Sequence, residues 1–300
     1  RGIYPKGFYL LGVYSSPQRR RESLEGDGEG MTPEQADALL NKDEDESGDV
    51  KFGQKTRSTF HLADFFVEEA GDSDFFKAQI NRTVDLIFGS PYETPTFDEY
   101  AMFHAFSASL RSADLSRQVG AVISKNKEIL ASGANDCPSP GGGLFWCDYD
   151  QTKKKFCDQP KGRDYMNGYD MNFRERRDIF NEVVAKLMGD DDNPNLKARA
   201  MSALEGSGLK DLTEYGRMVH AEMEALLACA RNTIDCRGAI LYGTTFPCHN
   251  CAKHIIAAGI SEVVYVEPYP KSKTLQFYGE MVESSEKMNF RPFIGVGARQ

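Results

Sequence analysis

Four side chains in this sequence stand out by type and spacing. His220 and Glu222 lie in V-H-A-E-M-E-A-L-L-A-C-A, and Cys248 and Cys251 lie in F-P-C-H-N-C-A-K-H. One imidazole and two thiolates make three ligands for a borderline-soft, tetrahedral ion. Three protein ligands leave a fourth position for water, the arrangement of a catalytic zinc rather than a closed structural one. Zinc brings the pKa of that water toward ~7, so hydroxide is available at neutral pH. Glu222 sits too near His220 along a helix to be a convenient fourth ligand. It is placed to take a proton from the water and return it to a ring nitrogen and a leaving amine. Blander readings exist for each part. A lone C-x-x-C is also half of a structural zinc site or a redox pair, and a lone His before an apolar helix is ordinarily a cap or core residue. A closed site wants a fourth Cys or His at matched spacing, and neither His249 nor His254 makes a standard second pair. The joint occurrence of H-x-E, an intervening strand and P-C-x-x-C favours the catalytic reading.

The elements that must position these groups can be read from their flanks. Residues 221–230 are dense in helix formers, so His220 and Glu222 fall at a helix start. Cys248 follows Pro247, and 251–258 reads as a second helix, stopped by Gly259. Both cysteines then occupy a first helical turn, where exposed N–H groups and the positive helix end favour thiolate. Residues 238–245 read as a strand running directly into Phe246-Pro247-Cys248, and 261–267 as the next strand. A strand–helix–strand unit of this size implies parallel neighbours and a right-handed crossover. Upstream, Thr96-Phe97-Asp98-Glu99 is a capping box opening a helix to about Ser112. Residues 118–123 and 128–134 form a hairpin around Lys125-Asn126-Lys127. Residues 73–89 form an amphipathic helix, with Phe75, Phe76, Ile80, Val84, Ile87 and Phe88 as a core face.

H-x-E followed by P-C-x-x-C is the signature of the zinc nucleobase deaminases. A helix, a hairpin and then H-x-E on a helix is the opening order of the cytidine-deaminase fold. R-S-A-D-L-S-R-Q-V-G-A-V-I and G-A-N-D-C-P resemble the corresponding stretches of deoxycytidylate deaminases, and the resemblance covers 97–136 and 218–275. It implies an α/β fold of three layers, α/β/α, with a mixed central sheet. It implies Zn2+ as cofactor and hydrolytic deamination of free deoxycytidine nucleotides, dCTP or dCMP, with release of ammonia. In that family the equivalent of Asn135 binds the sugar and base, since one amide both donates and accepts; Asn-Asp-Cys-Pro is also ordinary turn chemistry. Ser116 and Arg117 stand where the family approaches the phosphate, and Arg offers a planar fork for its oxygens; a surface salt bridge is the other reading of Arg117. The backbone N–H of Ala221, facing the pyrimidine carbonyl, and Pro247 belong to the same substrate-binding set. Tyr269 would stack on a base, and Lys271 and Lys273 would reach a triphosphate, unless that loop is simply solvated.

Residues 1–71 read as a separate unit. A strand at 7–13 precedes a basic helix that starts after Ser15-Ser16-Pro17 and holds Arg19, Arg20 and Arg21. An acidic run at 43–49 precedes a further strand within 60–69. This order resembles the second half of a P-loop nucleotide kinase, but no G-x-x-x-x-G-K-[ST] loop occurs in the sequence. Either the first half of such a unit lies outside this sequence or the unit is a remnant, and ATP binding is not assigned. With a deaminase domain at 72–300, the whole resembles the bacterial two-domain deoxycytidylate-type deaminases, which deplete deoxycytidine nucleotides during phage infection. Residues 137–219 are an insertion, expected to shape a substrate lid or a subunit contact. Within it Asn172-Phe173-Arg174-Glu175 caps a helix to about Met188 and Pro194 begins another. Cys137, Cys147 and Cys157 are read as thiols rather than a second metal site.

The 300 residues carry a formal charge of −9. A chain that grips a polynucleotide backbone usually has an excess of Lys and Arg, so a free nucleotide fits better than RNA or DNA. No apolar run reaches membrane-spanning length, no cleavable signal pattern occurs, and seven Cys beside a metal motif suit a reducing cytoplasm. The resemblance further implies a homo-oligomer and a place for an allosteric nucleotide. Three other functions remain open on the sequence. One is a polynucleotide deaminase acting on tRNA or single-stranded DNA. The second is a riboflavin-type pyrimidine deaminase, whose usual reductase partner has no dinucleotide fingerprint here. The third is a binding module that keeps zinc for folding alone, against which the intact Glu222 argues.

Overall fold

The computed structural model describes residues 7–26, 30–44, 59–189, 193–212, 214–269, 272–283 and 288–298. A five-stranded sheet lies at its centre. Its strands are β3 (Gly120–Lys125), β4 (Glu128–Ala134), β7 (Ile240–Thr245), β8 (Glu262–Glu267) and β9 (Asn289–Pro292), in the spatial order β4-β3-β7-β8-β9. β3 runs antiparallel to β4 and β7, while β7, β8 and β9 are mutually parallel. The β3–β4 hairpin turns through Asn126 and Lys127, both at positive φ, 54° and 61°. Two consecutive left-handed residues match the twist of a two-residue hairpin.

The period-two alternation of the strands sorts their side chains between two helical layers. Ala121, Ile123, Leu241 and Val263 face α7 (Ala221–Arg231) and α8 (His249–Ala257), meeting Ala225, Cys229 and Ile255. Val122, Tyr242 and Val264 face the other way, onto Ala101, Met102 and Ala105 of α4 (Phe97–Ser109). The Thr96 capping box is present in full, with both reciprocal bonds to Glu99. The mixed three-layer architecture expected from the sequence is the one observed. Each helical layer comes unusually near the sheet at one glycine. A Cβ on Gly120 would stand 1.9 Å from the Ala105 carbonyl oxygen, and one on Gly133 would stand 2.2 Å from that of Ala221.

A second, three-stranded sheet is built from segments far apart in the sequence. β1 (Leu11–Tyr14) pairs parallel with β2 (Phe65–Glu68), and β2 pairs antiparallel with β10 (Gly295–Val296). Ala63 and Phe66 pack in one cluster with Met102, Val122, Tyr242 and Phe293, so residues on both sides of position 71 share a core. α1 (Pro17–Glu25) begins at the Ser16 cap, as its Ser-Pro start predicts. α2 (Pro33–Glu44) follows it. Residues 45–49 of the acidic run lie outside the described residues.

Two expectations need correction. The helix α3 (Ser73–Ile87) forms, but none of its residues is buried, and Phe75, Val84 and Phe88 are exposed. α4 already occupies the sheet face, so α3 packs against β2 and reaches α4 through the Arg82–Glu99 ion pair. In the insertion, α5 (Met171–Met188) is capped by Asp170 rather than Asn172. The Asn172 side chain instead donates to the Leu212 carbonyl and accepts from the Tyr215 N–H. The insertion also holds a short hairpin that its polar sequence did not announce, β5 (Asp148–Asp150) with β6 (Lys155–Cys157). α6 (Pro194–Gly206) opens at Pro194 as expected, with Asn193 as its cap. No helix among the described residues is long and apolar enough to cross a membrane.

Candidate metal centre and active site

His220 is the N-cap of α7 and Cys248 the N-cap of α8. Two helix starts therefore converge at the carboxyl end of β7. The Cys248 and Cys251 sulfurs lie 3.4 and 3.3 Å from His220 Nδ1. All three ligand atoms fall within 4.8 Å of one another. A tetrahedral zinc with ordinary bond lengths separates a nitrogen and a sulfur ligand by about 3.5 Å. The side chains are thus already arranged for zinc, and the donor set is the one zinc prefers.

The electrostatics point the same way. A hydrogen bond with Cys248 raises His220 to about 9, against the lowering effect of burial, and the charge of Asp114 adds to the rise. The hydrogen bond between the sulfurs pulls Cys248 down and pushes Cys251 up, so the protein alone favours one thiolate beside one thiol. A divalent cation between them removes that asymmetry by stabilising both sulfurs as thiolates. Glu222 lies outside the three-ligand group, on the first turn of α7. It is 4 % exposed, and burial raises its carboxyl above the usual range. Its Oε2 accepts from the Cys251 sulfur at 3.5 Å. A raised carboxyl beside an ion holds and returns a proton more readily than an exposed one.

Residues 95–267 match the family described as the cytidine and deoxycytidylate deaminase zinc-binding region. The chain belongs to that family. Over 169 residues it is 34 % identical to the deoxycytidylate deaminase of Enterobacteria phage T4, covering 56 % of this chain and 77 % of the relative. It is 33 % identical to that of phage T2 over the same length, 56 % of this chain and 79 % of the relative. Among solved structures, the dCMP deaminase of cyanophage S-TIM5 in complex with dCMP and dUMP is 20 % identical. That similarity covers 67 % of this chain and all of the other, with a TM-score of 0.38. As in the rest of the deaminase family, the cofactor is zinc.

The structure distributes the remaining sequence-derived candidates unevenly. Ala221 is buried at the first position of α7, where backbone N–H groups have no partner within the helix. Asn135 is buried beside the site, but its amide is engaged in holding a loop. Its Oδ1 accepts from the Val119 N–H at 2.6 Å, and its Nδ2 donates to Asp114 Oδ2 and the Arg117 carbonyl. Both amide hydrogens are therefore committed, leaving one oxygen lone pair. Ser116 caps back onto Asp114 Oδ1 with its N–H and hydroxyl. Arg117 pairs with Glu267 Oε1 at 3.2 Å, and its guanidinium stands 5.7 Å from the Tyr269 ring. Arg117, Glu267 and Tyr269 thus gather on one rim. Pro247 is buried, with its carbonyl accepting from Ser272 and Thr274. Lys273 is exposed, and Lys271 lies outside the described residues.

Asp114 is the residue that sequence reasoning missed. It bonds the Ser116 and Arg117 N–H groups and the Asn135 amide, and so organises the whole loop between α4 and β3. The signal was present, because an Asp two and three residues before the N–H groups that donate to it is the pattern of an Asx turn. Ser272 and Thr274 carried no such signal, since their partner is a carbonyl more than twenty residues away in sequence.

Proposed function

We propose that the protein hydrolytically deaminates free deoxycytidine nucleotides, dCMP or dCTP, to deoxyuridine nucleotides and ammonia. The observation that carries this reading is the sealed carboxyl of Glu222 beside three zinc-type donors, in a chain similar to deoxycytidylate deaminases. His220, Cys248 and Cys251 would hold the ion. Zinc bound there supplies a Lewis acid that lowers the pKa of water toward ~7.

The chain's own groups handle the protons and the pose. Glu222 takes a proton from the attacking water and delivers it to N3 of cytosine while oxygen bonds to C4. It then passes the second proton to the amino nitrogen, the C4–N bond breaks and ammonia leaves. The Ala221 N–H donates to the pyrimidine carbonyl. The remaining lone pair of Asn135 Oδ1 accepts from a sugar hydroxyl. Ser116 and Arg117 meet the phosphate, with Lys271 and Lys273 available to a longer one, and Pro247 and Tyr269 border the base.

The charge of −9 supports a free nucleotide over a polynucleotide. Seven free thiols suit a reducing cytoplasm. Turnover of dCTP would draw down a pool that replicating phage requires, the defensive role implied by the two-domain resemblance. A regulatory nucleotide would fit the cleft of about 820 Å³ lined by Arg111, Gly142, Gly143, Trp146 and Arg231. There Arg111 lies 3.6 Å over the Trp146 ring, a cation–π pair that a second ring could extend. Assembly into a homo-oligomer is read by sedimentation of the purified chain.

The deciding experiment is an ammonia-release screen of dCMP, dCTP, CMP, CTP, deoxycytidine, single-stranded DNA and tRNA, with and without a zinc chelator. Chelator-sensitive release from dCMP or dCTP is the expected result. Release from polynucleotide alone would replace this reading with that of a polynucleotide base deaminase.

A further inference from the structure

The Pro247 carbonyl stands one residue before the candidate ligand Cys248. Pro247 has no N–H, so its carbonyl is the only backbone polar group it offers. That carbonyl is buried in the turn between β7 and Cys248. The Ser272 hydroxyl donates to it at 2.7 Å and the Thr274 hydroxyl at 3.1 Å. The two hydroxyl oxygens lie 2.8 Å apart, and the Thr274 N–H donates to Ser272 Oγ. Thr274 is 0 % exposed and opens α9 (Thr274–Glu283). Two hydroxyl protons serve these three oxygen–oxygen contacts, so the pair holds the buried carbonyl oxygen as a unit.

The consequence falls on Cys248. The Pro247 carbonyl and the Cys248 nitrogen share one planar peptide, so fixing the oxygen fixes that plane. Cys248 is the next residue and the cap of α8, and its Sγ also accepts from the Cys251 N–H. On the other side, the Phe246 N–H donates to the Glu267 carbonyl at 2.7 Å. The turn that delivers Cys248 is therefore held by β8 before Pro247 and by the hydroxyl pair at Pro247. The Ser272 N–H also donates to the Tyr269 carbonyl, so the loop bearing Tyr269 is tied to the same clamp.

We infer that Thr274 and Ser272 are positioning residues for the zinc site. Their hydroxyls hold the Pro247 carbonyl and so set where the Cys248 sulfur stands relative to His220 and Cys251. This rests on the assignment of those three residues as the zinc ligands. Groups that orient metal ligands commonly contribute about ten- to a hundredfold in metal affinity. A hydroxyl that merely anchored α9 would alter the melting temperature and leave zinc retention alone.

The test measures zinc release from the purified, zinc-loaded chain to a chromogenic chelator, alongside thermal melting by circular dichroism. Thr274→Val keeps the shape and removes the hydroxyl. It is expected to release zinc about ten- to a hundredfold faster than the parent. Thr274→Ser restores the hydroxyl and is expected to release zinc at the parental rate. Ser272→Ala, at a partly exposed position, removes the shorter bond and is expected to accelerate release as well. It also decides the matter if Thr274→Val does not fold. Parental release rates in Thr274→Val and Ser272→Ala would overturn the inference, as would Thr274→Ser behaving like Thr274→Val. Cys248→Ser separates the two levels. If it binds zinc as tightly as the parent, the ligand assignment itself is wrong; if it loses zinc while the clamp variants keep theirs, only the clamp is wrong.

Discussion

Gly133→Ala is the sharpest probe of how the fold places the chemistry. Gly133 lies in β4, under the first turn of α7, the helix that carries Glu222 and is capped by His220. An added Cβ would meet the Ala221 carbonyl oxygen at 2.2 Å and the Ala225 nitrogen at 2.5 Å, both backbone atoms that no rotamer change can move. Ordinary contact begins at 3.4 Å, so the helix start must lift by 3.4 − 2.2, or 1.2 Å. Overpacking of this kind typically costs ~1–3 kcal/mol. A shift of about 1 Å in catalytic groups costs on the order of 10²-fold in rate. The expected result is a lower melting temperature together with a loss of turnover on that scale, measured as ammonia release from dCMP with zinc content recorded. Gly279→Ala serves as the control, because its Cβ meets nothing nearer than Leu275 at 4.0 Å. If Gly133→Ala melts and turns over like the parent, the helix is not seated on the strand as argued.

Other consequences are open to measurement. Glu222→Ala should retain zinc yet lose at least ~10²–10⁴-fold in turnover, since it removes the proton carrier; undiminished ammonia release would remove Glu222 from the mechanism. Arg117→Ala should raise KM for dCMP while leaving deoxycytidine kinetics unchanged, and a parental KM for dCMP would take Arg117 off the phosphate. Its half-exposed pair with Glu267 contributes little to stability, so melting should barely change. Glu99 gives a pH test. Burial alone would raise its carboxyl, but hydrogen bonds from Arg82 and from the Thr96 and Val296 N–H groups outweigh burial and hold it below 4.5. A folded pKa below the unfolded one means that the native state binds fewer protons, so this contribution is whole above about pH 4.5 and drains as pH falls through the folded value. Arg82→Met should therefore move the acid-unfolding midpoint to higher pH, and acid titrations that superimpose on the parent's would refute it.

The parts of this protein that could be read from sequence are those set by neighbours along the chain. The ligands sit at helix caps, and cap chemistry is local: His220 and Cys248 announce both the helices and their direction. The Thr96–Glu99 box and the Asn126-Lys127 turn are equally self-contained. What resisted reading depends on partners far away. The apolar face of α3 has a clear helical period, yet period alone says nothing about whether another helix has taken the place beneath it. Asn135 has the right chemistry for a ligand, but its commitment to Val119, Asp114 and Arg117 is visible only once the loop is folded against β4. Asp170 rather than Asn172 caps α5 because Asn172 is drawn away to Leu212 and Tyr215.

The three-stranded sheet has a consequence for how the chain matures. Phe65 and Phe66 in β2 pair with Val296 and Gly295 in β10. As the polypeptide emerges from the ribosome, β2 must wait until Gly295 and Val296 have been made before that flank is covered. An apolar strand left open for so long is a natural holding point for chaperones and a starting point for misassembly. Docking of β10 on β2 then acts as a checkpoint for the sheet. It closes the Glu99 carboxylate against the Val296 N–H and joins segments far apart in sequence in one step.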